Sequence, residues 1–282
     1  MKNVLVIGAG QMGSGIMQIL LQAGYKVNAY DAFAEPRNAL KGKLEKAYNK
    51  LKEKGKADSD SIATWLSNLT VFDELDAATK NVDLVIEAAT EDYDLKISLF
   101  KKLDSLCAEK TILASNTSSI SITEIGSATK RADKVVGLHF FNPAPVMKLL
   151  EIIRGTQTSD STCAACHVVG EKLGKTIVDV KIDSPGFVVN RILIPMINEA
   201  VHVLQEGVAS AEDVDKGMLT GANHPMGPLA LSDLIGNDTV LAIMQVLYND
   251  FQDPKYRPAL LLKRMVSSGK LGRKSGEGFF KY

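Results

Sequence analysis

The sequence predicts an α/β chain: a doubly wound, mostly parallel sheet with an inserted helical hairpin, followed by an all-α C-terminal domain. Three observations carry this. Short, often β-branched apolar runs alternate with helical stretches up to about Ser184, the pattern of a sheet covered by helices. The first run passes directly into Gly8, Gly10 and Gly13, spaced G-x-G-x-x-G, and then into a helical stretch. Beyond Ser184 and Pro185 the strand-like runs stop and the apolar spacing becomes helical.

Taken in order, the candidate strands are residues 3–7, 26–30, 69–72, 82–87, 111–115, 134–139, 149–153 and 175–180. Between Glu35 and Leu66, leucine and alanine recur at heptad-like spacing among many lysines, which predicts the helical hairpin. Residues 158–174 read as a surface helix. From Gly186, GFVVNRILIPMINEAVHVLQEG opens a long apolar helix with Pro195 inside it, where a proline kinks. The expected domains are 1–184 and 185–282, the second also supplying a substrate cleft and a dimer surface. Its segments VVNRILIPMINEAVHVLQ and PLALSDLIGNDTVLAIMQVLY hold more apolar side chains than one small bundle buries.

A length of 282 residues suits two domains. Thirty-three basic and 33 acidic residues cancel with no long run of one sign, so bulk charge gives no reason to expect nucleic acid or an anionic membrane as partner. The start, MKNVLVIGAG, shows no secretory cleavage pattern, and no segment approaches the ~20 apolar residues of a membrane span. Three cysteines are too few for a disulfide framework and fit a reducing, cytoplasmic setting. Cys163, Cys166 and His167 spell C-x-x-C-H, the pattern of covalent haem attachment, but that chemistry belongs outside the cytosol. No metal site is expected.

The glycine motif gives the first functional reading. A pyrophosphate needs close backbone approach and the exposed N–H groups of a helix start, here Gly8, Gly10, Gln11, Met12 and Gly13. The second strand ends in Asp31, eighteen residues after Gly13. A carboxylate there accepts from the ribose hydroxyls and repels a 2′-phosphate, so a Rossmann-like unit selecting NAD over NADP is expected. Arg37 lies close enough in sequence to reach a phosphate.

GLHFFNPAPVMKLLE holds one of four histidines in an otherwise apolar run. His139 ends a predicted strand, where ligands of a parallel sheet sit, and imidazole titrates near neutrality. Antiparallel pairing across the NPAP turn would bring Glu151 beside it, and a carboxylate there favours the imidazolium and fixes which nitrogen carries the proton. On residue type alone, a histidine on an apolar strand is more often a satisfied core residue.

GAGQMGSGI, VIEAATE, ILASNTSSISI, LHFFNPAPVMKLLE, PGFVVNR and GANHPMGPLALSDLIG follow one another in this order. Across its whole length the chain thereby resembles the L-3-hydroxyacyl-CoA dehydrogenases in their short, single-function form. The resemblance implies that His139 is the general acid/base with Glu151 as partner, and that Ser118 and Asn190 complete the substrate site. It implies cofactor contacts at Glu91, Lys96, Asn116, Ser118, Asn142 and Lys274, and coenzyme A contacts at Lys50 and Lys54. It also implies a homodimer acting on an acyl-CoA, the short-chain pair being acetoacetyl-CoA and (S)-3-hydroxybutyryl-CoA. By residue type alone, Ser118 could cap the next helix, Asn190 could satisfy its own helix, and the lysines could be a solvated face.

Two other readings stand beside this one: a same-fold dehydrogenase of a free hydroxy acid such as L-gulonate, and a non-catalytic NAD-binding protein of crystallin type. A 3-hydroxyisobutyrate type of dehydrogenase would need a lysine in the helix opening at Gly186, where the chain has Asn190 and Arg191.

Overall fold

A computed structural model describes all residues, 1–282, and divides the chain into two compact units, Met1–Asp183 and Ser184–Tyr282. In the first unit the strands are β1 (Asn3–Ile7), β2 (Lys26–Tyr30), β3 (Leu69–Phe72), β4 (Leu84–Glu87), β5 (Ile112–Ser115), β6 (Val135–Phe140), β7 (Leu149–Arg154) and β8 (Thr176–Val180). The helices are α1 (Gln11–Gln22), α2 (Ala34–Glu53), α3 (Ser59–Ser67), α4 (Leu75–Ala78), α5 (Tyr93–Leu106), α6 (Ile122–Ser127) and α7 (Asp160–Lys172). All eight expected strands form, β1 to β3 with the expected ends and the other five with ends shifted by one or two residues, as hydrogen bonding rather than composition sets where a strand stops.

The strand order is β3-β2-β1-β4-β5-β6-β7-β8. Every neighbouring pair is parallel except β6 and β7. The first six strands have the doubly wound dinucleotide-binding order, with the direction of winding reversing between β1 and β4. Val4, Leu5 and Val6 of β1 and Leu84, Val85 and Ile86 of β4 are fully buried. Central strands covered by helices on both faces need apolar side chains in both directions, hence the unbroken apolar runs.

The expected hairpin is α2 and α3. Leu40, Leu44 and Tyr48, four residues apart, form the buried stripe of α2 while its lysines face water. Tyr48 packs on Trp65 of α3 with ring centroids 5.0 Å apart and donates to the Gln18 carbonyl of α1, which anchors the hairpin. Asp58 caps α3 by accepting from the Ser61 amide at 2.7 Å.

In α7, Cys163 and Cys166 face the core, so the expected surface helix is amphipathic with its thiols inside. No disulfide forms. Burial pushes the Cys166 thiol up to about 12 and the Cys107 thiol up to about 11, so neither is a ready nucleophile or haem anchor. His167 is turned to Asp179 at 2.6 Å. That pair lines a surface cavity of about 730 Å³ together with the ion-paired Arg154 and Asp160.

The second unit consists of α8 (Val189–Gln205), α9 (Ala211–Gly221), α10 (Pro228–Ile235), α11 (Asn237–Phe251) and α12 (Leu260–Ser267). α8 continues through Pro195. Ile194, Ile197, Val201, Leu229, Val240, Met244, Leu247 and Leu262 form the core. Within it, the buried Asn198 accepts from the Ala259 amide and donates to the Arg257 carbonyl. Asp233, also buried, accepts from the Phe279 and Phe280 amides at 2.9 Å and so holds the last turn of the chain. That turn adds two isolated antiparallel bridges to a part expected to be wholly helical. No single helix in the chain is long and apolar enough to cross a membrane.

Candidate active site

The three motif glycines do different work. Gly8 has φ +101°, and a side chain on it would stand 2.5 Å from the Ala88 carbonyl oxygen of the neighbouring strand end. A side chain on Gly13 would overlap the Gly8 carbonyl, so that glycine lets α1 close onto the turn. A side chain on Gly10 would meet nothing within 4 Å. It would instead fill the open cradle at the start of α1, beside Gln11 and Met12, whose backbone N–H groups have no preceding turn to bond to. A phosphate group fits there, and the residues present suit a dinucleotide.

Asp31 stands at the end of β2 and is 9% exposed. Its carboxylate accepts from the Ala9 amide at 2.6 Å and from the Phe33 amide at 2.9 Å, which ties it to the glycine turn. Arg37 donates to the Asp31 carbonyl at 2.8 Å and lies 2.9 Å from Asp73. Its charge is therefore compensated next to the carboxylate expected to read the ribose.

On the far side of the switch point, the ends of β4 and β5 carry a polar ring. Glu87 and Ser115 are register partners, and the Ser115 hydroxyl donates to Glu87 at 2.6 Å. The other oxygen of Glu87 accepts from the Ala89 amide at 2.7 Å and from Lys96 Nζ at 2.6 Å. Asp92 caps α5 and so sets Lys96 one turn into that helix. Lys96, 1% exposed, also lies 3.3 Å from Glu91. Glu91 accepts from the Thr117 hydroxyl, the Ser118 amide at 2.9 Å and the Ser119 hydroxyl at 3.0 Å. The Thr117 amide donates back to the Ser115 hydroxyl, closing the ring. Burial raises the Glu91 carboxyl, but Lys96 and these donors outweigh it and hold the group below its ordinary range.

Ser118 does not cap the next helix; Ser121 caps α6 by accepting from the Glu124 amide. Asn116 accepts from the Phe140 amide at 2.9 Å, joining the β5 turn to β6. Asn142 accepts from Gln11 at 3.1 Å, joining the turn after β6 to α1.

His139 and Glu151 are register partners across the β6–β7 pairing. Nδ1 of His139 lies 2.7 Å from Oε2 of Glu151. The histidine is 6% exposed and the glutamate fully buried, and the Phe141 ring lies 4.5 Å from the imidazole, centroid to centroid. In such a pair the carboxylate selects the tautomer with its proton on Nδ1, which makes Nε2 the nitrogen that exchanges a proton with a ligand.

The first unit thus groups Gly8, Gly10, Gly13 and Asp31 around the cradle, Glu91, Lys96 and Ser118 around the ring, and His139 with Glu151. Lys50 and Lys54 are exposed at the C-terminal end of α2, four residues apart and so on one face. Between them Lys52 donates to Ser59 at 2.7 Å. Asn190 and Lys274 belong to the second unit: Asn190 is half-buried in the first turn of α8, and Lys274 is ion-paired with Asp238. Glu87, Ser115 and Thr117 were not among the expected site residues. The available signal was a carboxylate ending an otherwise apolar strand in VIEAATE, a costly residue to bury without a purpose.

The family model for the 3-hydroxyacyl-CoA dehydrogenase NAD binding domain matches residues 3–183, and that for the C-terminal domain of the same enzymes matches residues 186–282. The chain belongs to the 3-hydroxyacyl-CoA dehydrogenase family. It is therefore an NAD-dependent oxidoreductase, and its first unit corresponds to the NAD binding domain of the family. A 3-hydroxybutyryl-CoA dehydrogenase of Clostridioides difficile is 51% identical over 283 residues, covering 99% of each chain. A probable 3-hydroxybutyryl-CoA dehydrogenase of Bacillus subtilis is 49% identical, covering 100% of this chain and 97% of the relative. Among solved structures, an (S)-3-hydroxybutyryl-CoA dehydrogenase from Ralstonia eutropha superposes with a TM-score of 0.96 at 49% identity, covering 100% of this dehydrogenase and 99% of that chain.

Proposed function

We propose that this dehydrogenase interconverts acetoacetyl-CoA and (S)-3-hydroxybutyryl-CoA, with His139 as the general acid/base. The observation that carries the reading is the buried 2.7 Å pair of His139 and Glu151 at the end of β6. When bound, NADH supplies the hydride that reduces the 3-carbonyl carbon, and NAD takes it back in the oxidative direction. His139 donates a proton from Nε2 to the 3-oxygen during reduction and accepts it during oxidation, while Glu151 holds Nδ1 and compensates the imidazolium. Ser118 and Asn190 offer a hydroxyl and an amide to the substrate oxygens, stabilising negative charge as it builds without adding a rival ion.

Glycine-turn backbone groups and Asp31 hold the dinucleotide, with Glu91, Lys96, Asn116, Asn142 and Lys274 as further contacts. Lys50 and Lys54 meet the phosphates of coenzyme A. The helical part, from residue 185, supplies Asn190 and a dimer surface; Ile192, Leu234 and Leu260 are 67%, 48% and 52% exposed, apolar area that a second copy would cover. A light-scattering mass near the 30.5 kDa of one chain at micromolar concentration would reject the dimer. Three free, buried cysteines fit a reducing compartment, the cytoplasm.

The deciding experiment follows NADH oxidation with acetoacetyl-CoA and NAD reduction with free L-gulonate. The expected result is turnover of the thioester alone, and loss of that turnover in His139→Ala. Turnover of the free acid alone would favour the free-acid dehydrogenase, and no turnover of either would favour a non-catalytic NAD-binding protein.

A further inference from the structure

We propose that Glu87 is a positioning residue of this reaction: through Ser115 and Lys96 it holds Glu91 and the turn bearing Ser118 in the geometry that meets the ligands. The proposal rests on the function proposed above. Its ground is the closed ring of Glu87, Ser115, Thr117, Glu91 and Lys96, in which Glu87 joins the two arms at their buried end and Glu91 joins them at the other. One oxygen takes the Ser115 hydroxyl at 2.6 Å, and Ser115 takes the Thr117 amide at 3.2 Å. The other oxygen takes Lys96 at 2.6 Å, and Lys96 reaches Glu91 at 3.3 Å. Both arms converge on residues 117–119, whose amide and hydroxyl groups donate to Glu91.

Stability alone does not account for such a ring. Glu87 is 0% and Lys96 1% exposed, and a buried ion pair gains little over well-packed apolar side chains of the same volume. The second carboxylate on that ammonium, Glu91, is 38% exposed, so the desolvation cost falls on Glu87 and Lys96. What the arrangement does supply is rigidity at a place where a displacement of about 1 Å in a substrate-facing group can cost 100-fold in rate. Glu87 is out of reach of any ligand and acts only through its neighbours.

The test is Glu87→Gln, which keeps the shape and removes the charge, leaving Lys96 to swing toward Glu91. In the protein without ligands, amide hydrogen exchange across residues 116–121 should rise about 10-fold while exchange in β1, β2 and α1 stays as in the parent. In the assay with NADH and acetoacetyl-CoA, kcat should fall about 10- to 100-fold, the range for outer partners of functional groups. The NADH Kd should rise by less than kcat falls, because Glu91 and Lys96 are proposed dinucleotide contacts while the glycine turn and Asp31 are untouched. Ser115→Ala cuts one arm without altering any charge and should raise exchange in the same peptide, with a smaller loss of kcat; it serves as the test should Glu87→Gln not fold.

Parent-like exchange across 116–121 in the folded variant overturns the proposal, as does increased exchange spread evenly over the first unit. Parent-like kcat with NADH and acetoacetyl-CoA overturns it too. A parent protein that does not turn over acetoacetyl-CoA would instead defeat the proposed function, and the exchange pattern would then decide the role of Glu87 by itself.

Discussion

His139 and Glu151 face each other across the single antiparallel pairing of an otherwise parallel sheet, with Nδ1 2.7 Å from the carboxylate. They are twelve positions apart in the sequence, and the turn between β6 and β7 folds that stretch back so that the strands pair in register. A parallel neighbour needs a crossover connection and could not bring residues so close in sequence side by side. His139→Ala should therefore lower kcat about 100- to 10,000-fold, the usual contribution of a general acid/base. Glu151→Gln should cost about 10- to 100-fold by loosening the tautomer. NADH affinity, read from fluorescence quenching, should stay near the parent value in both.

Gly10 and Gly13 should separate binding from folding. Gly10→Ala places a methyl group in open space at φ −68°, so the melting temperature should hold while NADH affinity drops at least 10-fold through lost close approach. Gly13→Ala drives a methyl group into the Gly8 carbonyl, which should cost about 1–3 kcal/mol of stability. Equal losses of stability in the two variants would contradict these roles.

Replacing Asp31 by Asn should shift cofactor preference. The amide no longer repels a 2′-phosphate, and Arg37, bonded to the Asp31 carbonyl at 2.8 Å, is already in place to meet one. The ratio of kcat/KM with NADPH to that with NADH should rise about 10-fold, one bidentate Arg–phosphate contact offsetting one lost carboxylate. An unchanged ratio would mean that Asp31 serves only the Ala9 and Phe33 amides.

Acid should weaken the fold through Asp104. Burial raises its carboxyl, but the Lys130 amide and the Arg131 guanidinium, 2.7 Å away, outweigh that and hold it below its ordinary 3.8. A depressed carboxyl contributes stability that is complete above the unfolded value and disappears as pH falls through the folded one. Asp104→Asn should cost about 3 kcal/mol at pH 7, because it leaves the buried Arg131 charge unpaired. The gap between variant and parent should close on titration below pH 3.8. Urea unfolding at several pH values reads this directly.

The thiols provide a packing test. With Cys166 pushed up to about 12 and Cys107 to about 11 by burial, a disulfide reagent at pH 8 should modify none of the three cysteines in the native protein and all of them in urea.

Local pattern alone determined much of this protein. Unbroken apolar runs such as VLVI marked strands covered on both faces, leucine spacing marked the α2–α3 hairpin, and the glycine motif marked the strand-to-helix turn that Asp31 braces through the Ala9 amide. Even the approach of His139 to Glu151 was readable, because a short turn constrains its two flanks. What only the tertiary structure decided was the ring joining Glu87, Ser115 and Lys96. It depends on β4 lying beside β5 in the register that sets Glu87 opposite Ser115, 28 residues apart. Strand order and register arise from the packing of the whole sheet, and no local spacing encodes which buried polar side chains will meet. The same reason kept Glu91 legible only as a charge near a strand end, until the fold turned three donors from residues 117–119 onto it.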